Sequence, residues 1–146
     1  MQLEIERWES LKAGIIGGFS VGLAFLGTFL VNTLINMYFP IHLLRELTNI
    51  DFYFFFDGAI AGFCGLLFGV TYRYIIRLDQ NRQLKAGAVL AFGLVRGLTQ
   101  IEIGWNLANT ILPFLILAGE SIFWFAGAAV ILDTAISRGW VKPFSF

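Results

Sequence analysis

The chain contains 146 residues, of which 58% are apolar and 14% are charged, and its formal net charge is zero. A water-soluble domain of this size has too little interior to bury so much apolar surface, so the composition excludes one. The balanced charge argues against nucleic acid as a partner. The sequence therefore predicts a single domain over residues 1–146 that has the lipid bilayer as its solvent.

Four apolar segments are each long enough to cross the hydrocarbon core of a bilayer, which takes about 20 residues of α-helix. They cover residues 11–35, 52–76, 86–107 and 111–136, with boundaries approximate to a few positions. None of them shows the strict alternation of a membrane β-barrel strand. The predicted fold class is all-α, an integral membrane four-helix bundle.

The segments around the spans carry further signals. MQLEIERWES, before the first span, is acidic, and no small-residue cleavage pattern follows that span, so we predict a retained helix rather than a signal peptide. After Pro40, four apolar residues share one helical face, which predicts a short surface helix between spans one and two: Leu43, Leu44, Leu47 and Ile50. Residues 106–110 leave only a tight turn, which makes spans three and four antiparallel neighbours.

Basic residues lie almost entirely on one side of the predicted bundle. Of ten Lys and Arg residues, eight fall at one side of the membrane, only Arg45 falls at the other side, and only Arg96 falls deep inside the membrane. Because basic loops are retained on the cytoplasmic side of membranes, both termini are predicted to be cytoplasmic.

A short motif recurs in the two halves of the chain. LKAG occupies residues 11–14 and again residues 84–87, and Phe19 and Phe92 follow in the same register. Each copy opens the first helix of a two-helix hairpin. Two readings remain open, namely a parallel internal repeat that makes two tandem hairpins and a coincidence between low-diversity apolar segments.

Small residues at a spacing of four predict how the helices pack. Lipid does not drive helices together by burial, so membrane helices associate where glycine lets two backbones approach. Spans one and two carry the predicted helix-packing residues: Gly14, Gly18, Gly22, Gly58, Gly62, Gly65 and Gly69.

Several polar residues lie at membrane depth, where charge is expensive and suggests a function. Counting 1.5 Å of rise per residue, Arg96 and Glu120 fall near the midplane, whereas Asp57 and Glu102 fall in the outer third. Arg96 needs a carboxylate, and Glu120 is the first candidate by depth. The predicted intramembrane polar network contains Asp57, Arg96, Gln100, Glu102, Asn106 and Glu120.

The polar half of span three allows two interpretations. It could form a buried network of ion pairs and amides that sets the helix register, since such interhelical bonds are common. It could instead line a polar cavity open to the outside, for an ion, a small solute or a lipid headgroup.

The connection between spans two and three carries a basic face, formed by Arg73, Arg77, Arg82 and Lys85. Interleaved tyrosines and arginines at an interface suit anionic lipid headgroups. They also suit the acidic rim of a partner protein. Ordinary retention of basic residues on the cytoplasmic side would account for them as well.

No catalytic, cofactor or metal motif is found in the sequence. There is no phosphate loop, no HExxH, no CxxC and no Ser/His/Asp set. His42 is the one histidine and Cys64 the one cysteine, and a single ligand specifies little. We therefore predict no catalytic residue, no cofactor and no metal, and a protein that is not an enzyme.

Residues 57–102, and above all TYRYIIRLDQNRQLKAGAVLAFGLVRG at residues 71–97, resemble uncharacterised small four-span membrane proteins of cyanobacteria and chloroplast relatives. The resemblance implies a thylakoid or plasma membrane location. It carries no activity and no functional residue to this chain.

The sequence leads to two functional hypotheses. The first is a non-enzymatic accessory, scaffold or assembly subunit that docks on other membrane proteins, or on itself, through its glycine grooves. The second is a small transporter or channel subunit that uses the polar face of span three.

Overall fold

The computed structural model describes residues 1–40, 50–107 and 111–145, apart from the side chains at 104, 106 and 107. In that part of the chain it contains four α-helices: α1 (Gln2–Tyr38), α2 (Phe52–Ile76), α3 (Arg82–Leu107) and α4 (Leu112–Ser137). All four are long and apolar enough to cross a membrane. The predicted all-α bundle is confirmed. The predicted surface helix and the turn at 108–110 lie outside the described residues.

Local sequence accounts for the helix ends. Asp51 caps α2, and its carboxylate accepts the backbone N–H of Phe54 at 3.0 Å. Pro113 lies in the first turn of α4, where its missing N–H costs nothing. Gly139 has a φ of 76°, and a glycine takes this left-handed conformation without the strain of a Cβ atom as the chain leaves α4.

The helices form a ring in chain order. Each of the hairpins α1–α2 and α3–α4 packs internally, α2 touches α3, and α4 closes on α1. We call the end where α1 begins and α4 finishes the terminal end, and the other end, which carries Tyr38 and Phe52, the opposite end. Outside the ring, large apolar side chains such as Phe123 (78% exposed) and Val95 (70%) face away from the bundle. By length and composition the chain is an integral membrane protein, and this surface suits lipid.

The bundle is held tightest where α1 crosses α2. A Cβ atom built on Gly65 would lie 2.6 Å from the carbonyl oxygen of Gly17, and one built on Gly17 would overlap the backbone of Gly65 and Gly69. A Cβ on Gly69 would overlap the carbonyl of Ala13. The two backbones therefore meet without side chains between them, as small-residue packing requires.

The predicted glycine stripe is only partly used in this contact. Gly14 and Gly18 lie against α2, and Gly58 against the ring of Phe25. A Cβ on Gly22 would meet nothing within 4 Å, so the prediction that Gly22 packs between helices is wrong. The Cβ position of Gly62 is also open, but its carbonyl oxygen lies 3.2 Å from the Cβ position of Gly18, so the backbone of Gly62 does pack against α1. Gly22 and Gly62 differ in this contact but share one surface. They line an open apolar groove of about 610 Å³ between α1 and α2, on the outside of the bundle.

The two copies of the LKAG motif occupy different surroundings. Gly14 packs against Val70 and Leu66, whereas a Cβ on Gly87 would meet nothing within 4 Å. Phe19 is 71% exposed, whereas Phe92 packs on other rings inside the bundle. The two hairpins therefore share their topology but not the contacts of the recurring residues.

Candidate functional site

Arg96 lies almost fully buried on α3 and forms an ion pair with α2. Its Nη2 donates to Oδ1 of Asp57 at 2.6 Å, with 7% of the arginine side chain and 35% of the aspartate side chain exposed. Gln100, one turn further along α3, approaches the same carboxylate oxygen at 3.5 Å. The predicted pairing of Arg96 with Glu120 is therefore wrong, and Asp57, the next carboxylate considered by depth, takes the arginine.

Glu120 has a different partner, which the sequence reading missed. Its Oε1 accepts the side-chain N–H of Asn32 on α1 at 2.8 Å. Depth alone could not decide between these pairings, because it does not give the direction in which a side chain leaves its helix. A partial signal for Asn32 was present, since it is an amide inside the apolar first span.

Asp57 and the Asn32–Glu120 pair line one partly open cavity of about 510 Å³ between the helices. It extends from the start of α2 inward to Trp124 on α4. Its lining includes three carboxylates and two amides among apolar and aromatic side chains: Asp51, Asp57, Glu120, Asn32 and Gln100. Among the described residues that line it, there is no lysine or arginine. We call this space the central cavity.

Aromatic rings form one wall of the central cavity. The rings of Phe25 and Phe54 lie 5.2 Å apart, those of Phe29 and Phe54 lie 4.5 Å apart, and Phe25 meets Trp124 edge-on at 5.6 Å. The guanidinium of Arg96 lies over the Trp124 ring at 5.4 Å. Arg96 Nε and Trp124 Nε1 are buried and have no hydrogen-bond partner among the described residues. The rings thus line the same cavity as the half-buried carboxylates of Asp57 and Glu120.

Not every predicted network residue joins this site. Glu102 is exposed and does not line the cavity, so its predicted membership of the network is wrong. Glu102 follows Gln100 by two residues on α3. Since each residue of a helix turns about 100°, the Glu102 side chain leaves the helix about 160° away from that of Gln100, on nearly the opposite face. The side chain of Asn106 lies outside the described residues.

The predicted basic face is also different from expectation, because Arg73 is not exposed. Its side chain is fully buried, and it donates to Ser10 Oγ at 2.7 Å, to the carbonyl of Glu6 at 3.2 Å and to the carbonyl of Lys142 at 2.8 Å. Its Nη2 also pairs with the carboxylate of Glu6. We call this cluster the terminal clasp, since it joins α1, α2 and the segment after α4.

Of the other three predicted basic residues, one forms an ion pair within the bundle and two lie at the surface. Lys85 pairs with Asp133 at 2.9 Å, and Asp133 also accepts the hydroxyl of Tyr72 at 3.0 Å, so Lys85 is committed to α4. Arg77 lies over the ring of Phe144, and Arg82 is exposed. The part of the predicted basic face that remains at the surface is therefore Arg77 and Arg82.

Comparison with known proteins identifies no relative. No protein family matches this chain, and neither a curated protein nor a solved structure is significantly similar to it. Within the described part of the chain, no three His, Cys, Asp or Glu side chains converge as metal ligands would. A function must therefore be inferred from the central cavity and the surfaces themselves.

We expect Arg96→Leu and Asp57→Leu each to destabilise the bundle, because each leaves an unpaired charge in low dielectric. The double variant should recover most of the loss, since apolar residues often replace a buried pair without cost. The coupling should be about 1 kcal/mol or more, measured by thermal unfolding in detergent. As a control, Arg96→Leu combined with Glu120→Leu should be additive, and recovery in that variant instead would contradict the observed pairing.

Proposed function

We propose that this protein is a non-enzymatic membrane protein that binds a small polar solute in its central cavity, as a small transporter or channel subunit. The observation that supports the proposal most directly is the environment of the Glu120 carboxyl group. Glu120 lies well inside α4, lines the cavity, and has only the amide of Asn32 as a bonding partner among the described residues. A charge held at membrane depth without a counter-ion is costly, and such residues commonly mark a solute path.

The volume beside the charges supports the same proposal. A network that served only packing would be expected to fill its space, because protein interiors are close-packed. Here about 510 Å³ remains next to Asp57 and Glu120, which is room for a solute or for several waters at roughly 30 Å³ each. Asp51 and Tyr53 at the start of α2 also line the cavity, so it extends to the opposite end of the bundle.

The orientation and the membrane are part of this proposal. The bias of basic residues toward the terminal end supports cytoplasmic termini, which would direct the central cavity toward the outer side. The resemblance of residues 71–97 to small cyanobacterial membrane proteins supports a plasma or thylakoid membrane.

A cysteine introduced at Leu117, which lines the cavity on α4, tests water access. In a Cys64→Ala background, we expect Leu117→Cys to react from the outer side of sealed cells with a small charged thiol reagent that does not cross bilayers. The thiolate is the reactive form, and it requires a wet surrounding. Gly119→Cys is the matched control on the same helix, because Gly119 does not line the cavity and a Cβ there would meet nothing within 4 Å, so this cysteine should stay unreactive.

The same measurement distinguishes a second candidate, the accessory or assembly subunit. The open groove at Gly22 and Gly62 favours that role, since it is a small-residue surface that the bundle itself does not cover. If Leu117→Cys were as unreactive as Gly119→Cys, the cavity would be dry and the accessory role would replace our proposal. Reaction only after permeabilisation would reverse the proposed orientation.

A further inference from the structure

We propose that the solute of the central cavity is a small organic ammonium ion, held by the Glu120 carboxylate and the adjoining aromatic wall. This inference rests on the proposed solute-binding function and names its chemical class. Three properties lead to it, namely the charge of the cavity, its aromatic lining and the lack, in the described part of the chain, of three converging metal ligands.

The charge of the cavity favours a cation. Asp57 is neutralised by Arg96 at 2.6 Å, with Gln100 nearby. Glu120 has a neutral amide partner instead, so its carboxyl group has no counter-charge among the described residues that line the cavity and is open to a cation. Asp51, at the start of α2, adds a second carboxylate along the way in. A field of one sign between low-dielectric walls concentrates ions of the opposite sign.

The aromatic wall favours an organic cation over a neutral solute. Phe25, Phe29, Phe54 and Trp124 pack on one another and line the same cavity as Glu120. The face of Trp124 already lies against one cation, the Arg96 guanidinium at 5.4 Å. Rings grouped around a carboxylate are suited to alkylammonium groups, because the ring face attracts a cation and its apolar substituents together.

The same residues suit a hydrated or bare metal ion poorly. Calcium takes six to eight oxygen ligands, and magnesium requires a near-octahedral set. The described bonding partner of Glu120 is Asn32, whose amide donates to the carboxylate, and within the described part of the chain no three His, Cys, Asp or Glu side chains converge. An ammonium ion needs fewer oxygen contacts, and it can satisfy the carboxylate by charge alone.

Choline is a suitable probe because it has a neutral isostere, the alcohol in which carbon replaces the ammonium nitrogen. With the whole protein in a maltoside detergent, isothermal titration calorimetry should show saturable choline binding. The isostere should bind at least about tenfold more weakly, which is the scale of a desolvated cation–π contact with charge added. A large excess of sodium ions should not displace choline.

Two glutamate variants give a matched comparison. Glu120→Gln keeps the shape and the bond from Asn32 but removes the charge, and it should weaken choline binding about tenfold or more. Glu102→Gln removes the same charge from an exposed position outside the cavity, and it should leave binding unchanged. The comparison of choline with its isostere needs no variant, so the test holds even if Glu120→Gln folds poorly.

Several outcomes would overturn the inference. Equal binding of choline and the isostere would mean that the cavity recognises only apolar shape. Unchanged binding in Glu120→Gln would remove the carboxylate from the site, and displacement by stoichiometric sodium would indicate an inorganic cation. If choline does not bind while Leu117→Cys reacts from outside, the ligand class is wrong but the proposed function stands. An unreactive Leu117→Cys overturns the proposed function itself.

Discussion

Gly17→Leu and Gly65→Leu should each prevent the bundle from reaching its native stability. At this crossing a new Cβ would meet backbone atoms of the other helix, 2.6 Å from the Gly17 carbonyl oxygen in the case of Gly65. Backbone cannot move aside as a flexible side chain can, so the helices must separate. Overpacking costs typically 1–3 kcal/mol, and we expect about 3 kcal/mol or more here. Thermal unfolding in detergent measures the loss.

The same stripe supplies the control. Gly22→Leu and Gly62→Leu make the same chemical change on the same two helices, but a Cβ at either position would meet nothing within 4 Å. These variants should unfold within a few degrees of the unmodified protein. A loss at Gly62 as large as the loss at Gly65 would show that the open groove is a packed contact, and it would contradict the crossing described above.

Arg73→Met should also destabilise the protein strongly. The substitution keeps much of the side-chain length. It removes the hydrogen bonds that the guanidinium donates to Ser10, Glu6 and the carbonyl of Lys142. Breaking a buried ion pair from one side costs about 3–5 kcal/mol. Glu6 keeps 25% of its side chain exposed, so water can partly resolvate it and we expect about 3 kcal/mol.

Arg82→Met is the matched control, because it removes the same charge from an exposed position at the start of α3. It should leave thermal unfolding nearly unchanged. Arg73→Lys should recover only a small part of the loss, since a lysine ammonium cannot reproduce the planar fork of an arginine. Equal stability of Arg73→Met and Arg82→Met would mean that the terminal clasp contributes nothing.

The sequence predicted the helices well because a bilayer imposes a length and an apolar composition on each span. The second span was predicted at 52–76 and is found at Phe52–Ile76. The first helix begins nine residues before the predicted Leu11, at Gln2. Its first turns carry Glu6, Glu9 and Ser10, which point at Arg73 and the segment after α4. Hydropathy cannot detect a segment that is held by polar contacts.

The sequence predicted most residues of the candidate site correctly, but it did not predict which of them pair with each other. The polar character of α3 and the need of Arg96 for a carboxylate follow from the cost of charge in lipid. Which carboxylate it meets depends on the rotation of each helix about its axis. That rotation is set by the close contact of α1 with α2, where Gly17 rather than Gly22 faces the partner backbone. The spacing of four selected Gly14, Gly18 and Gly22 and passed over Gly17, so neither this rotation nor the pairing could be derived.

The terminal clasp has a consequence for the order of events during biosynthesis. Arg73 belongs to the second span, yet one of its hydrogen bonds goes to the carbonyl of Lys142, and the amide of Lys142 in turn donates to Glu9 at 2.8 Å. A ribosome reaches residue 142 only after all four spans have been made. Until then the first hairpin must carry an arginine that is not fully bonded, at a depth where headgroups or water can still reach it. Completion of translation is therefore the step that allows this end of the bundle to close.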